Sequence, residues 1–182
     1  MSIQFDTIIK GGTVVTAGDQ MRCDVGIKDG RIAMLGYDLG HTQTVIDAKD
    51  KLVLPGGIDS HVHISQPSGE GIVMADDFES ATRSAALGGT TTVMPFVLQE
   101  KGRPLRETVN DYHALAKGQC FIDTSFHLIV SEPNESVLGQ ELPSLVEDGY
   151  TSFKVFMTYE GLALNDREMI DVLDTCLLYT SD

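Results

Sequence analysis

At 182 residues the chain is long enough for one domain with a sizeable core, but shorter than the roughly 250 residues of a typical eight-stranded α/β barrel. Thirteen basic against 27 acidic residues give a formal net charge of -14, which repels phosphate backbones and anionic lipid and argues against nucleic acid or a membrane surface as partner. The 42% hydrophobic and 22% charged content is that of an ordinary globular chain, and no apolar run nears the roughly 20 residues that span a bilayer.

The first residues carry no basic segment followed by a long apolar run, so no secretory signal is expected and the cytoplasm is the default location. Residues 6–10, 13–16, 24–28, 31–35 and 44–47 read as short strands separated by turn signals at Gly11-Gly12, Asp29-Gly30 and Gly40. Together they predict a small antiparallel β unit. Asp29-Gly30 is the firmest signal in it, because a type I′ hairpin turn needs positive φ at both central residues.

From Leu52 the pattern changes to apolar strands alternating with amphipathic helices, as in a parallel sheet with helical crossovers. Four such units are expected. The first has a strand over 52–58 and a helix after Asp76-Asp77 with Phe78, Ala81 and Ala85 on one face, ending at Gly88-Gly89. The second has a strand over 90–96 and a helix opening at Pro104, with Leu105, Val109, Tyr112 and Ala116 as its buried stripe. A strand over 122–130 and a helix over 143–147 make the third. The fourth has a strand over 151–157 and a helix capped by Asn165, with Glu168 at capping-box spacing and Met169, Ile170 and Leu173 facing inward. Cys23, Cys120 and Cys176 lie far apart with no CxxC pair, and read as reduced packing residues.

His61 and His63 follow the apolar stretch Leu54-Pro55-Gly56-Gly57-Ile58 with one residue between them. In extended backbone that spacing puts both imidazoles on the same side, where one metal could take both. Taken alone, an HxH is a weak signal and reads first as a pair of solvated loop histidines. Lys154 sits within Ser152-Phe153-Lys154-Val155-Phe156-Met157, apolar on both faces. Lysine is seldom buried without a reason, since burial disfavours the ammonium and raises the share of free amine. A free amine can take up carbon dioxide to give a carbamate, an anionic oxygen ligand, although a lysine snorkelling from a strand end has the same sequence appearance. His127 is expected as a hydrogen-bonded core residue, and His113 and His41 as surface residues.

Three segments together carry a resemblance: Pro55-Gly56-Gly57-Ile58-Asp59-Ser60-His61-Val62-His63, Gly88-Gly89-Thr90-Thr91, and Ser152-Phe153-Lys154-Val155-Phe156-Met157-Thr158-Tyr159. Over about residues 5–176 the chain closely resembles the dihydropyrimidinase and D-hydantoinase branch of the amidohydrolase superfamily. The resemblance implies an α/β fold, with residues 1–51 in part of a small β sandwich and 52–182 forming the first four βα units of a TIM-like (β/α)8 barrel. It implies His61 and His63 as metal ligands, carboxylated Lys154 bridging two zinc ions, and Tyr159 donating to the substrate carbonyl as it becomes an oxyanion. By the same resemblance Phe156 and the loop 64–73 shape the substituent pocket, and Asp59 supports the ligands from behind. The implied reaction is hydrolysis of the cyclic amide of a dihydropyrimidine or hydantoin to an N-carbamoyl amino acid, as in pyrimidine degradation, by a homo-oligomer of the tetrameric kind.

The family draws further histidines and an aspartate from later strands that have no counterpart here, and after Cys176 the chain departs from the family's helix. These departures imply a truncated relative, inactive by itself. Two other expectations stay open at this point: allantoinase or dihydroorotase chemistry, which shares the HxH and the lysine, and a non-catalytic dihydropyrimidinase-like assembly protein, against which the retained His61, His63 and Lys154 argue.

Overall fold

A computed structural model describes residues 4–180, so the last two residues of the divergent tail, Ser181 and Asp182, lie outside the described residues. The chain forms two compact units, Met1–Pro55 and Gly56–Asp182.

In the first unit, β1 (Thr7–Val15), β2 (Gln20–Lys28) and β3 (Arg31–Gly36) form an antiparallel run, and β4 (Thr44–Asp47) and β5 (Leu52–Val53) pair in parallel with β1. Val14, Cys23 and Val25 make its small buried cluster. The β2–β3 hairpin turns at Asp29 and Gly30, with φ of 51° and 71°, the two positive values that the sequence requires there. Gly11-Gly12, expected as a turn between two strands, is a bulge inside the single strand β1: Gly11 has φ 76° and the register with β2 shifts between Ile9 and Gly12. Buried Asp24 explains why the chain continues, because its carboxylate accepts from the Gly11 amide at 2.9 Å and thereby satisfies a donor that the bulge takes out of the ladder. A second correction concerns the strand expected over 52–58. Leu52 and Val53 pair with β1, and the strand of the second unit begins only at Gly57, because Pro55 offers no backbone donor.

The second unit alternates β6 (Gly57–Val62), α1 (Phe78–Leu87), β7 (Thr90–Leu98), α2 (Leu105–Ala116), β8 (Asp123–Thr124), β9 (His127–Ile129), α3 (Leu142–Glu147), β10 (Phe153–Lys154) and α4 (Asp166–Thr180). Its sheet is parallel, in the order β10-β9-β7-β6, with β8 also on β7. This is an α/β arrangement. Asp77 caps α1 in a reciprocal capping box with Ser80, and the box expected at Asn165 and Glu168 forms at 2.8 and 3.0 Å. The helix-facing core gathers Val93 and Val97 of β7, Leu128 of β9, and the α2 stripe Leu105, Val109, Tyr112 and Ala116 that the helical period predicts.

Three elements differ from expectation. The strand expected over 122–130 is broken at Ser125 and Phe126 into β8 and β9, since the buried Phe126 ring turns into the core among Phe78, Tyr112 and Tyr150. The strand expected over 151–157 is regular only at Phe153–Lys154, as it has a ladder partner on one side alone. In α4 the inward residues are Met169, Val172 and Cys176, whereas Ile170 and Leu173 are 54% and 58% exposed. The helix carries two apolar stripes one residue out of phase, and periodicity cannot choose between them. Among the described residues no helix is long and apolar enough to cross a membrane.

Candidate active site

Parallel strands bring their C-terminal ends to one edge of the sheet, and in α/β sheets the chemistry sits outside that edge. Val62 packs against the helix-facing core and Ile64 lies fully within it, so the alternating residues His61 and His63 face the opposite side. Their ring centroids are 5.5 Å apart. Asp59 accepts from the His61 amide at 3.1 Å, so its carboxylate fixes the backbone of the segment that carries the two histidines. His63 Nδ1 donates to Gln66 Oε1, which leaves Nε2 as the ring nitrogen not engaged by that amide. Immediately after His63, the Tyr112 hydroxyl donates to the Ile64 carbonyl and ties the start of the loop to α2.

Lys154, at the C-terminal end of β10, is half-buried rather than enclosed, because β10 is an edge strand open on one side. Its ammonium lies 4.4 Å from the ring centre of Phe96 and 4.9 Å from that of Phe156, a favourable cation–π placement. His61 and Lys154 share an open cleft of about 440 Å³ with Phe96 and His127. His127, expected as a core residue, is half-buried and bridges the sheet: Nε2 donates to the Ser60 carbonyl at 2.8 Å, and Nδ1 accepts from Ser152 Oγ at 2.5 Å. Its role is that of a satisfied clamp, with both ring nitrogens already engaged.

Phe156 borders Lys154, and Tyr159 stands further out. Tyr159 is 63% exposed, with its ring centre 5.3 Å from that of Phe156. His41 belongs to the first unit, and His113, on α2, has a ring nitrogen 3.2 Å from the Tyr150 hydroxyl. Two residues escaped the sequence pattern. Gln66 could have been suspected from its polar amide three residues after His63, but Phe96 sits in an apolar strand and gives no signal of its own.

As a metal site these donors are right in kind and short in number. Two imidazoles and one amine are fewer than the four donors that zinc ordinarily takes, and among the described residues no three His, Cys, Asp or Glu are grouped to hold an ion.

No family model matches the chain. The D-hydantoinase of Streptomyces coelicolor is 47% identical over 166 residues, which cover 88% of the chain and 35% of that relative. The D-hydantoinase of Geobacillus stearothermophilus is 49% identical over 157 residues, covering 85% of the chain and 33% of that relative. A crystal structure of D-hydantoinase superposes with a TM-score of 0.91 at 45% identity, over 95% of this chain and 38% of that one. The chain belongs with the D-hydantoinases. It spans about a third of the length of these relatives.

Proposed function

We propose that the chain supplies part of the active site of a hydantoinase or dihydropyrimidinase, with residues 1–51 belonging to a β sandwich and 52–182 to the first four βα units of a (β/α)8 barrel. The observation that carries this is the convergence of His61, His63 and Lys154 at the C-terminal ends of β6 and β10, beside one another on Phe96. Barrel enzymes build their catalytic groups at that end of the strands. His61 and His63 would hold one zinc ion, and Lys154, carboxylated, would bridge it to a second. Zinc bound here would supply Lewis acidity toward the amide carbonyl.

The chain's own residues then have distinct tasks. The Tyr159 hydroxyl donates to the carbonyl oxygen of the ring amide and gains strength as that oxygen becomes anionic, which stabilises the transition state more than the ground state. Phe156 borders the substituent of the ring. Asp59, through the His61 amide, and Gln66, through His63 Nδ1, keep the imidazoles oriented. The full reaction opens the cyclic amide of a dihydropyrimidine or hydantoin to an N-carbamoyl amino acid, within a homo-oligomer.

A chimera of this chain with the remainder of the Geobacillus stearothermophilus D-hydantoinase tests the substrate class. The loop after His63 is small and polar, and the Lys154-to-Tyr159 segment leans toward dihydropyrimidinase chemistry. Dihydrouracil and small 5-substituted hydantoins should therefore be opened with kcat/KM roughly tenfold or more above allantoin or dihydroorotate. A preference for allantoin or dihydroorotate would reassign the substrate, and no turnover of any of them would favour a non-catalytic role.

A further inference from the structure

Phe96 occupies an unusual place. Its neighbours Val93 and Val97 on β7 belong to the helix-facing core, but the Phe96 side chain lies on the other face, which is open at the cleft. Even so it is only 4% exposed. What covers it is the candidate site. The ring centre of Phe96 is 4.8 Å from that of His61 in an edge-on contact, and 5.3 Å from His63 and 4.9 Å from His127 in stacked ones. The Lys154 ammonium completes the cover at 4.4 Å. Groups from β6, β9 and β10 thus rest on a single ring from the strand between them.

We propose that Phe96 is a positioning residue of the metal site: a flat apolar platform that fixes the planes of His61 and His63 before any ion arrives and holds Lys154 beside them. The inference rests on taking those three residues as donors. Its physical basis is rotamer restriction. An exposed histidine on an edge strand is otherwise free to turn, and an aromatic face limits it to stacked or edge-on orientations. Pre-orientation of this kind lowers the ordering cost of binding. A leucine of similar apolarity fills the space but presents no flat face. Residues that orient metal ligands without touching the metal typically change affinity by 10- to 100-fold when removed.

The test uses the 182-residue chain itself, metal-free at a pH where imidazole is neutral, with zinc titrated in and the histidine ring protons followed by NMR. Phe96→Leu should weaken zinc binding by roughly 10- to 100-fold, and Phe96→Tyr, which keeps the ring, should restore most of it. Before zinc is added, Phe96→Leu should shift the ring protons of His61, His63 and His127 together through loss of the ring current, with His41 and His113 unmoved. Unchanged affinity in Phe96→Leu, equal weakening in the leucine and tyrosine variants, or a shift of all the histidines would overturn the proposal. A wild-type chain that binds no zinc, or whose binding survives His61→Ala, would instead remove the donor assignment. The ring-proton pattern would then decide alone whether Phe96 orients the imidazoles.

Discussion

In the chimera with the remainder of the Geobacillus stearothermophilus enzyme, Lys154→Ala should lower kcat for hydantoin by several powers of ten. The expectation follows from the chemistry of the position. Among the described residues no three His, Cys, Asp or Glu are grouped to hold an ion, and the anionic ligand proposed for this edge is the lysine amine after it takes up carbon dioxide. An alanine offers no oxygen donor, and the second metal with its share of the Lewis acidity is lost. A short-chain carboxylic acid added to the variant should restore part of the rate, since it can occupy the vacated space and offer the same anionic oxygens. Steady-state rates with and without the acid measure this. Retention of near wild-type kcat in Lys154→Ala would show that the lysine serves only as a cation packed between Phe96 and Phe156.

Replacing His61 or His63 with alanine in the same chimera should abolish turnover and strip the tightly held zinc, as counted by metal analysis after dialysis. Each imidazole is one of few nitrogen donors at this edge, and both ring nitrogens of His127 are engaged with Ser60 and Ser152. Gln66→Ala should do less, in the range of 10- to 100-fold in metal affinity, because it frees the His63 ring without deleting the ligand. The 182-residue chain alone, with two imidazoles and one amine, should lose its zinc on dialysis.

Much of this arrangement was legible in the sequence, for reasons that can be named. Asp29-Gly30 specifies its turn because few other residues accept two successive positive φ values, and Asn165 with Glu168 specifies a helix start because each supplies the acceptor that the other's amide lacks. His61 and His63 could be placed on one side of a strand from their spacing alone. Tertiary context decided the rest. Gly11-Gly12 has the composition of a turn and is a bulge only because Asp24, distant in sequence, takes up the freed amide. The two apolar stripes of α4 look alike until the core selects Val172. Lys154 was expected to be buried by its apolar neighbours, but an edge strand leaves it half open. Phe96 reads as one more apolar strand residue, and its place beneath four polar groups depends on three other strands arriving beside it.

The central claim is that His61, His63 and Lys154 form the metal-holding part of a cyclic amidohydrolase, and reconstitution of the metal-free chimera is its most direct test. Dihydrouracil hydrolysis should return only when zinc and bicarbonate are both supplied, since the carbamate on Lys154 needs a source of carbon dioxide before it can act as a ligand. Full activity without added metal, or recovery with zinc alone in a Lys154→Ala chimera, would contradict it.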